Sequence, residues 1–184
     1  MPTWMADLPD GPIVYFTLGT IFNRESGDLF DRVLSGLREL PTTVVVTVGR
    51  NVDPARFGAQ PDHVHVERYI PQSALLPHCD LVVNHGGSGS VIGALAHGLP
   101  LVVLPMGADQ LPNAERCEQL GVGVVLDAVR ATPRSIHDAV LTLLTDHGAR
   151  EAAARIRDEI ASLPGPDAVV PLLGQLVERR RSTP

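Results

Sequence analysis

Lysine is missing from this chain of 184 residues, whose 15 basic side chains are all arginine. That excludes a lysine nucleophile and a lysine-bearing phosphate loop. Aromatic residues make up only 4%, so the core must be assembled from Leu, Val, Ala and Ile. The two cysteines, Cys79 and Cys117, are too few for a disulfide framework or a cysteine metal set, and read as buried thiols in a reducing compartment. No apolar run approaches the ~18 residues of a membrane span, and the start carries no secretion-signal pattern, so the expectation is a cytoplasmic protein away from membranes. Basic charge is also short: the formal net charge is −6. A general nucleic-acid or membrane-surface role would call for a basic face, and neither partner is expected.

What is present reads as globular. The chain is 44% hydrophobic and 20% charged, the balance of one folded domain with a substantial core. Residues 1–12 hold three prolines and no periodicity, and read as a linker or entry segment. Residues 13–165 form the main domain, and 166–184 a C-terminal helix and tail. Short Val-rich runs predict strands at Ile13–Gly19, Thr42–Gly49, His63–Ile70, Cys79–His85, Pro100–Met106 and Val122–Asp127. Helical spacing predicts helices at Gly27–Leu40, about Ser88–His97, Asp109–Gly121, Pro133–Leu144, Ala149–Leu163 and Asp167–Arg181. Apolar strands without clean alternation fit a sheet covered on both faces. The predicted class is α/β: a doubly wound, mostly parallel, Rossmann-like sheet of about six strands, closed by C-terminal helices. Ligands in such sheets lie beyond the carboxyl ends of the strands, which selects the loops after Leu18, Val66, Asn84 and Leu104.

The third of those loops, within "VVNHGGSGSVIGAL" (Val82–Leu95), carries the most chemistry. Glycines allow close main-chain approach, and the following helix aims free N–H groups and its positive dipole end at the same space. Ser88 and Ser90 add hydroxyls and His85 a ring N–H, so a phosphate or diphosphate suits the loop. The plain alternative is a tight turn with Ser88 as helix cap. A dinucleotide fingerprint fits Gly87 and Gly89, but its third glycine falls on Ile92, with Gly93 one residue late. Asp109, twenty residues beyond Gly89, could imitate the ribose-binding acid of that fingerprint, so a nucleotide-binding or oxidoreductase module stays open. His63, His65, His97, His137 and His147 show no metal-ligand spacing, no Asp-x-Asp pattern occurs, and no metal or other cofactor is expected.

The whole stretch "YIPQSALLPHCDLVVNHGGSGSVIGALAHGLPLVVLPMGADQLPNAERCEQLGVGVVLD" (Tyr69–Asp127) resembles the nucleotide-sugar-binding signature of family 1 glycosyltransferases. The likeness is greatest to bacterial enzymes that glycosylate natural products such as macrolides and enediynes. It implies the C-terminal half of a GT-B fold, two Rossmann-like domains facing each other across a cleft. It also implies His85, Gly87, Ser88, Gly89 and Ser90 at the donor diphosphate, with Gly19 and Thr20 facing them. Tyr69 matches the aromatic that stacks on the base, Ile70 its main-chain partner, and Gln72 the ribose contact. Asp109 and Gln110 match the pair that holds the transferred sugar's hydroxyls. Plainer roles stand beside these: Tyr69 as a core aromatic, Asp109 as a helix cap, Gln72 as the cap of a short turn, and Asn113 and Glu115 as solvated or structural residues.

One departure bears on the donor. Relatives that use UDP-sugars often carry a glutamate three residues after the loop serine, where it accepts from the ribose; here that position is Gly93. A carboxylate with no 2′-hydroxyl to receive gains little, so dTDP is favoured over UDP as the carrier. The resemblance implies inverting transfer to a hydroxyl of a small-molecule acceptor, with the catalytic base on an N-terminal acceptor-binding domain and none in this chain. The chain alone is then expected to bind nucleotide without turnover. A natural split subunit of a two-protein transferase is the second form of the same reading. The terminal "LVERRR" helix is expected to reach toward the other domain.

Overall fold

Successive residues of a strand face opposite sides of the sheet, and in this chain both sides are covered by apolar layers. The computed structural model describes residues 2–7, 10–19, 26–171 and 173–175. Its strands are β1 (Ile13–Thr17), β2 (Thr43–Thr47), β3 (Val64–Glu67), β4 (Leu81–Asn84), β5 (Leu101–Val103) and β6 (Gly123–Val125). They form one six-stranded sheet in the order β3-β2-β1-β4-β5-β6, and every pairing is parallel. On one face Val14, Phe16, Val44, Val46, Leu81, Val83 and Val102 join a core with α1 (Leu29–Leu37) and α5 (Pro133–Thr145). On the other, Tyr15, Val45, Val82, Leu101 and Val103 pack with residues of α2 (Gln72–Leu75), α3 (Ser88–Leu95), α4 (Gln110–Gln119) and α6 (His147–Ser162). The unbroken valine runs follow from this: a polar residue at either parity would be buried.

Local signals account for the helix ends. Thr132 caps α5 by accepting from the Ser135 N–H at 3.1 Å. The Ser135 hydroxyl oxygen accepts in turn from the Thr132 N–H at 2.9 Å, a reciprocal capping box with Pro133 opening the helix. Asp146 caps α6 through the Ala149 N–H at 3.1 Å. Helix α1 buries Leu29, Phe30, Val33, Leu34 and Leu37, and at Gly36 it comes so close to α5 that a β-carbon would lie 2.3 Å from the Pro133 carbonyl oxygen.

The sequence expectation of a doubly wound sheet of six strands therefore holds, with strand ends up to three residues short of the apolar runs. Two features differ. The entry segment carries local structure that its sequence does not signal: Thr3–Asp7 is a 3-10 helix. Trp4 stacks on His65 of β3 at 4.0 Å and donates from Nε1 to Glu67 Oε1 at 2.8 Å. Edge strands are open to foreign pairing, and the ring covers one side of this one. The expected helix Asp167–Arg181 begins instead as a 3-10 turn, Pro166–Ala168, with helical backbone at 169–171 and 173–175. Its remainder lies outside the described residues, as does Thr20. Among the described residues no helix is long and apolar enough to cross a membrane.

Candidate functional site

Strand order reverses between β1 and β4, so the chain leaves these neighbouring strands toward opposite faces of the sheet and a crevice opens at their carboxyl ends. A cleft of about 650 Å³ occupies it, and Gly19, Tyr69, Ile70, Gln72, His85, Gly87, Ser88, Gly89, Ser90, Asp109 and Gln110 all line it. Eleven of the twelve residues singled out in the sequence thus share one cavity; the twelfth, Thr20, is not described.

The glycines are explained by the histidine between them. A β-carbon on Gly19 would lie 2.6 Å from His85 Cε1, and one on Gly87 would lie 2.5 Å from His85 Nε2. Any side chain at either position would displace the ring. His85 is buried, with 9% of its surface exposed, and its Nδ1 has no hydrogen-bond partner among the described residues. Burial draws its pKa below the ordinary value, and the nearby Asp109 charge opposes that shift. Asn84, fully buried, shapes the turn by accepting from the Gly86 N–H through Oδ1 at 2.6 Å. Helix α3 then starts with Gly87 as its cap and no side-chain cap bond, so Ser88 is its first residue rather than its cap.

The Ser88 hydroxyl instead donates to Asp109 Oδ2 at 2.7 Å, which is the main cause holding the Asp109 carboxyl below its ordinary value. Asp109 occupies the cap position of α4 without a capping bond, so the plain helix-cap role assigned to its side chain fails. Ala108 before it has φ +54°, a conformation that non-glycine residues adopt at some cost and that needs support from its surroundings. Gln110 is buried, and its Oε1 accepts from the N–H groups of Met106 (2.7 Å) and Gly107 (3.2 Å). Its oxygen is thereby committed to the loop, so a ligand would meet the amide NH2.

At the opposite end, Ile70 is buried while Tyr69 is exposed, with 51% of its surface accessible, so Tyr69 is not a core aromatic. The Arg50 guanidinium lies 4.5 Å above its ring. Tyr15, buried at the cleft floor, bonds Thr47 Oγ1 at 2.8 Å and has its phenol pKa raised by burial. Gln72 is the first residue of α2, and no side-chain cap bond is made there. Gly93 faces it: a β-carbon on Gly93 would meet Gln72 Oε1 at 3.7 Å and Leu76 Cδ1 at 3.5 Å, an ordinary contact.

Sequence reasoning missed Tyr15, Thr17, Thr47, Arg50, Arg68 and Ala108, all of which line the cleft. Arg50 could have been found, because the strand-end rule applies equally to the loop after β2. Among the described residues no group of three or more His, Cys, Asp or Glu stands ready for a metal ion.

Comparison with known proteins agrees with this fold. The sequence model of the erythromycin biosynthesis protein CIII-like C-terminal domain matches residues 31–176. The 4′-demethylrebeccamycin synthase of Lentzea aerocolonigenes is 40% identical over 170 residues, covering 92% of this chain and 39% of its own length. The calicheamicin glycosyltransferase CalG4 superposes with a TM-score of 0.86 at 33% identity, over 97% of this chain and 46% of its own. The glycosyltransferase VinC in complex with dTDP does so with 0.85 at 29% identity, over 97% and 45%. The chain therefore spans less than half the length of these relatives.

Proposed function

Because the chain belongs to the family of erythromycin biosynthesis protein CIII-like C-terminal domains, we propose that its cleft binds the donor of an inverting glycosyltransferase. The observation that carries the reading is the His85 ring between Gly19 and Gly87 at the start of α3, with Asp109 at the rim. That end gathers main-chain N–H groups, a helix dipole and a ring N–H with few side chains in the way, which is the chemistry a diphosphate needs. Asp109 suits sugar hydroxyls, with the Gln110 amide beside it, and Tyr69 offers a stacking face for the base near Ile70 and Gln72.

In this account an acceptor hydroxyl attacks C1 of the sugar, the C1–oxygen bond to the diphosphate breaks, and the configuration inverts. The acceptor proton passes to a base on an acceptor-binding domain, as the resemblance to family 1 glycosyltransferases implies. Charge growing on the leaving diphosphate is met by His85, the α3 N–H groups and the helix dipole, so binding needs no metal ion. The chain alone binds nucleotide without transferring sugar.

The carrier is proposed to be dTDP rather than UDP. Gly93 leaves the space beside Gln72 without a carboxylate, which suits a ribose lacking its 2′-hydroxyl. A β-carbon fits there, so Gly93→Glu is expected to fold and can be titrated with both nucleotides in a calorimeter. The wild type should prefer dTDP, and the variant should shift the ratio at least fivefold toward UDP. An unchanged ratio, or a wild type preferring UDP, contradicts the assignment.

A further inference from the structure

Asn113 lies one turn into α4, set back from the cleft lining, and looks like a solvated or structural side chain in the sequence. Its Nδ2 approaches three acceptors: the Gly86 carbonyl oxygen (2.9 Å), Ser88 Oγ (3.1 Å) and Asp109 Oδ2 (3.2 Å). An amide nitrogen carries two hydrogens, so at least one is shared. The Ser88 hydroxyl closes the circuit on Asp109 Oδ2 at 2.7 Å. Gly86 and Ser88 belong to the loop after β4, which carries His85; Asp109 belongs to the loop after β5. Pairing of β4 with β5 sets the roots of those two loops, and the Ser88–Asp109 bond joins them at one point. Asn113 adds a second tie, its side-chain nitrogen reaching both the main chain next to His85 and the carboxylate.

We propose that Asn113 is a positioning residue for the transferred sugar, holding the Asp109 carboxylate in register with the diphosphate loop. This rests on reading the cleft as a donor site. In a sugar nucleotide the spacing between diphosphate and sugar hydroxyls is set by covalent bonds, so both protein partners must sit at a matching spacing. A shift near 1 Å in one of them is enough to lose a contact. The unusual backbone at Ala108 fits the same demand, since it orients Asp109 toward Ser88 and Asn113 at a local cost the network must support.

The test uses the whole chain, as wild type, Asn113→Ala and Asn113→Asp, with dTDP and dTDP-glucose as calorimetric probes. The aspartate keeps the size but replaces the donors with a second carboxylate beside Asp109. Both variants should weaken dTDP-glucose at least fivefold more than dTDP, with near-native thermal melting. A purely structural role would instead lower the melting temperature and weaken both probes by the same factor, and that result overturns the proposal. Carbon NMR titration of the Asp109 carboxyl supplies a readout that needs no ligand. Its pKa should rise in Asn113→Ala, and an unmoved titration also overturns the proposal. Should neither probe bind the wild type, the donor-site reading fails, while the carboxyl titration still decides whether Asn113 holds Asp109.

Discussion

At the scale of single residues, His85 is where sequence and structure inform each other most. A histidine ending an apolar strand before a glycine pair is rare enough to be noticed, but only the folded chain explains the glycines, which clear two sides of its ring. The same enclosure has a measurable consequence. Burial keeps the folded-state pKa of His85 below its ordinary value, whereas the unfolded chain titrates near ~6.5. Between those values the unfolded state binds more protons, so stability falls as pH drops through that window and is intact above it. His65 is shifted in the same direction, so the comparison must be made at one site. Urea unfolding at pH 7.5 and 5.5 should show a smaller acid loss for His85→Asn than for the wild type; equal losses would mean the ring is not buried neutral. Gln110 and Asn113 were less legible. Their roles depend on which loop packs against α4, and that is set by tertiary contact rather than by nearby residues.

Among the elements, the sheet was the most readable part. Valine runs of both parities require two apolar layers, and the β3-β2-β1-β4-β5-β6 order with parallel pairing is the arrangement that a doubly wound chain gives. The structure within the entry segment was not legible because a 3-10 helix of five residues has no periodicity to detect, and because Trp4 finds its partner on β3, some sixty residues away. Gly36 was equally silent in the sequence: a glycine inside a helix is ordinarily a cost of ~1 kcal/mol against alanine. Here it admits α5, since a β-carbon would lie 2.3 Å from the Pro133 carbonyl oxygen. Gly36→Ala should therefore destabilise the fold by about 1–3 kcal/mol despite the better helix propensity. Chemical denaturation checks this, and a stabilised variant would show that α1 and α5 separate freely.

For the whole molecule, a chain of net charge −6 is proposed to bind an anion. The contradiction eases locally: among the described residues the cleft is lined by Arg50, by Arg68 with its partner Asp53, by the neutral His85 ring and by the start of α3, with Asp109 as the one carboxylate in the lining. These groups come from loops after four strands, β2 to β5, and meet at the place where the strand order reverses. The rule about strand ends made the location of the cleft legible, and the residue types suggested the diphosphate that is proposed to bind there. The base end was only half so, because Arg50 comes from a loop with no motif of its own. The central claim is that the cleft recognises a nucleoside through its diphosphate, with His85 as a main contact. Its most direct test is a calorimetric titration of wild type and His85→Asn, both checked for folding by circular dichroism, with dTDP and with thymidine. Losing a hydrogen bond to a charged group costs about 1.5–3 kcal/mol, or roughly 10–150-fold in affinity. The account predicts one dTDP bound per wild-type chain, at least tenfold weaker binding in the variant, and the same weak thymidine binding in both. Equal dTDP affinity in the two proteins, or thymidine binding as well as dTDP, would contradict it.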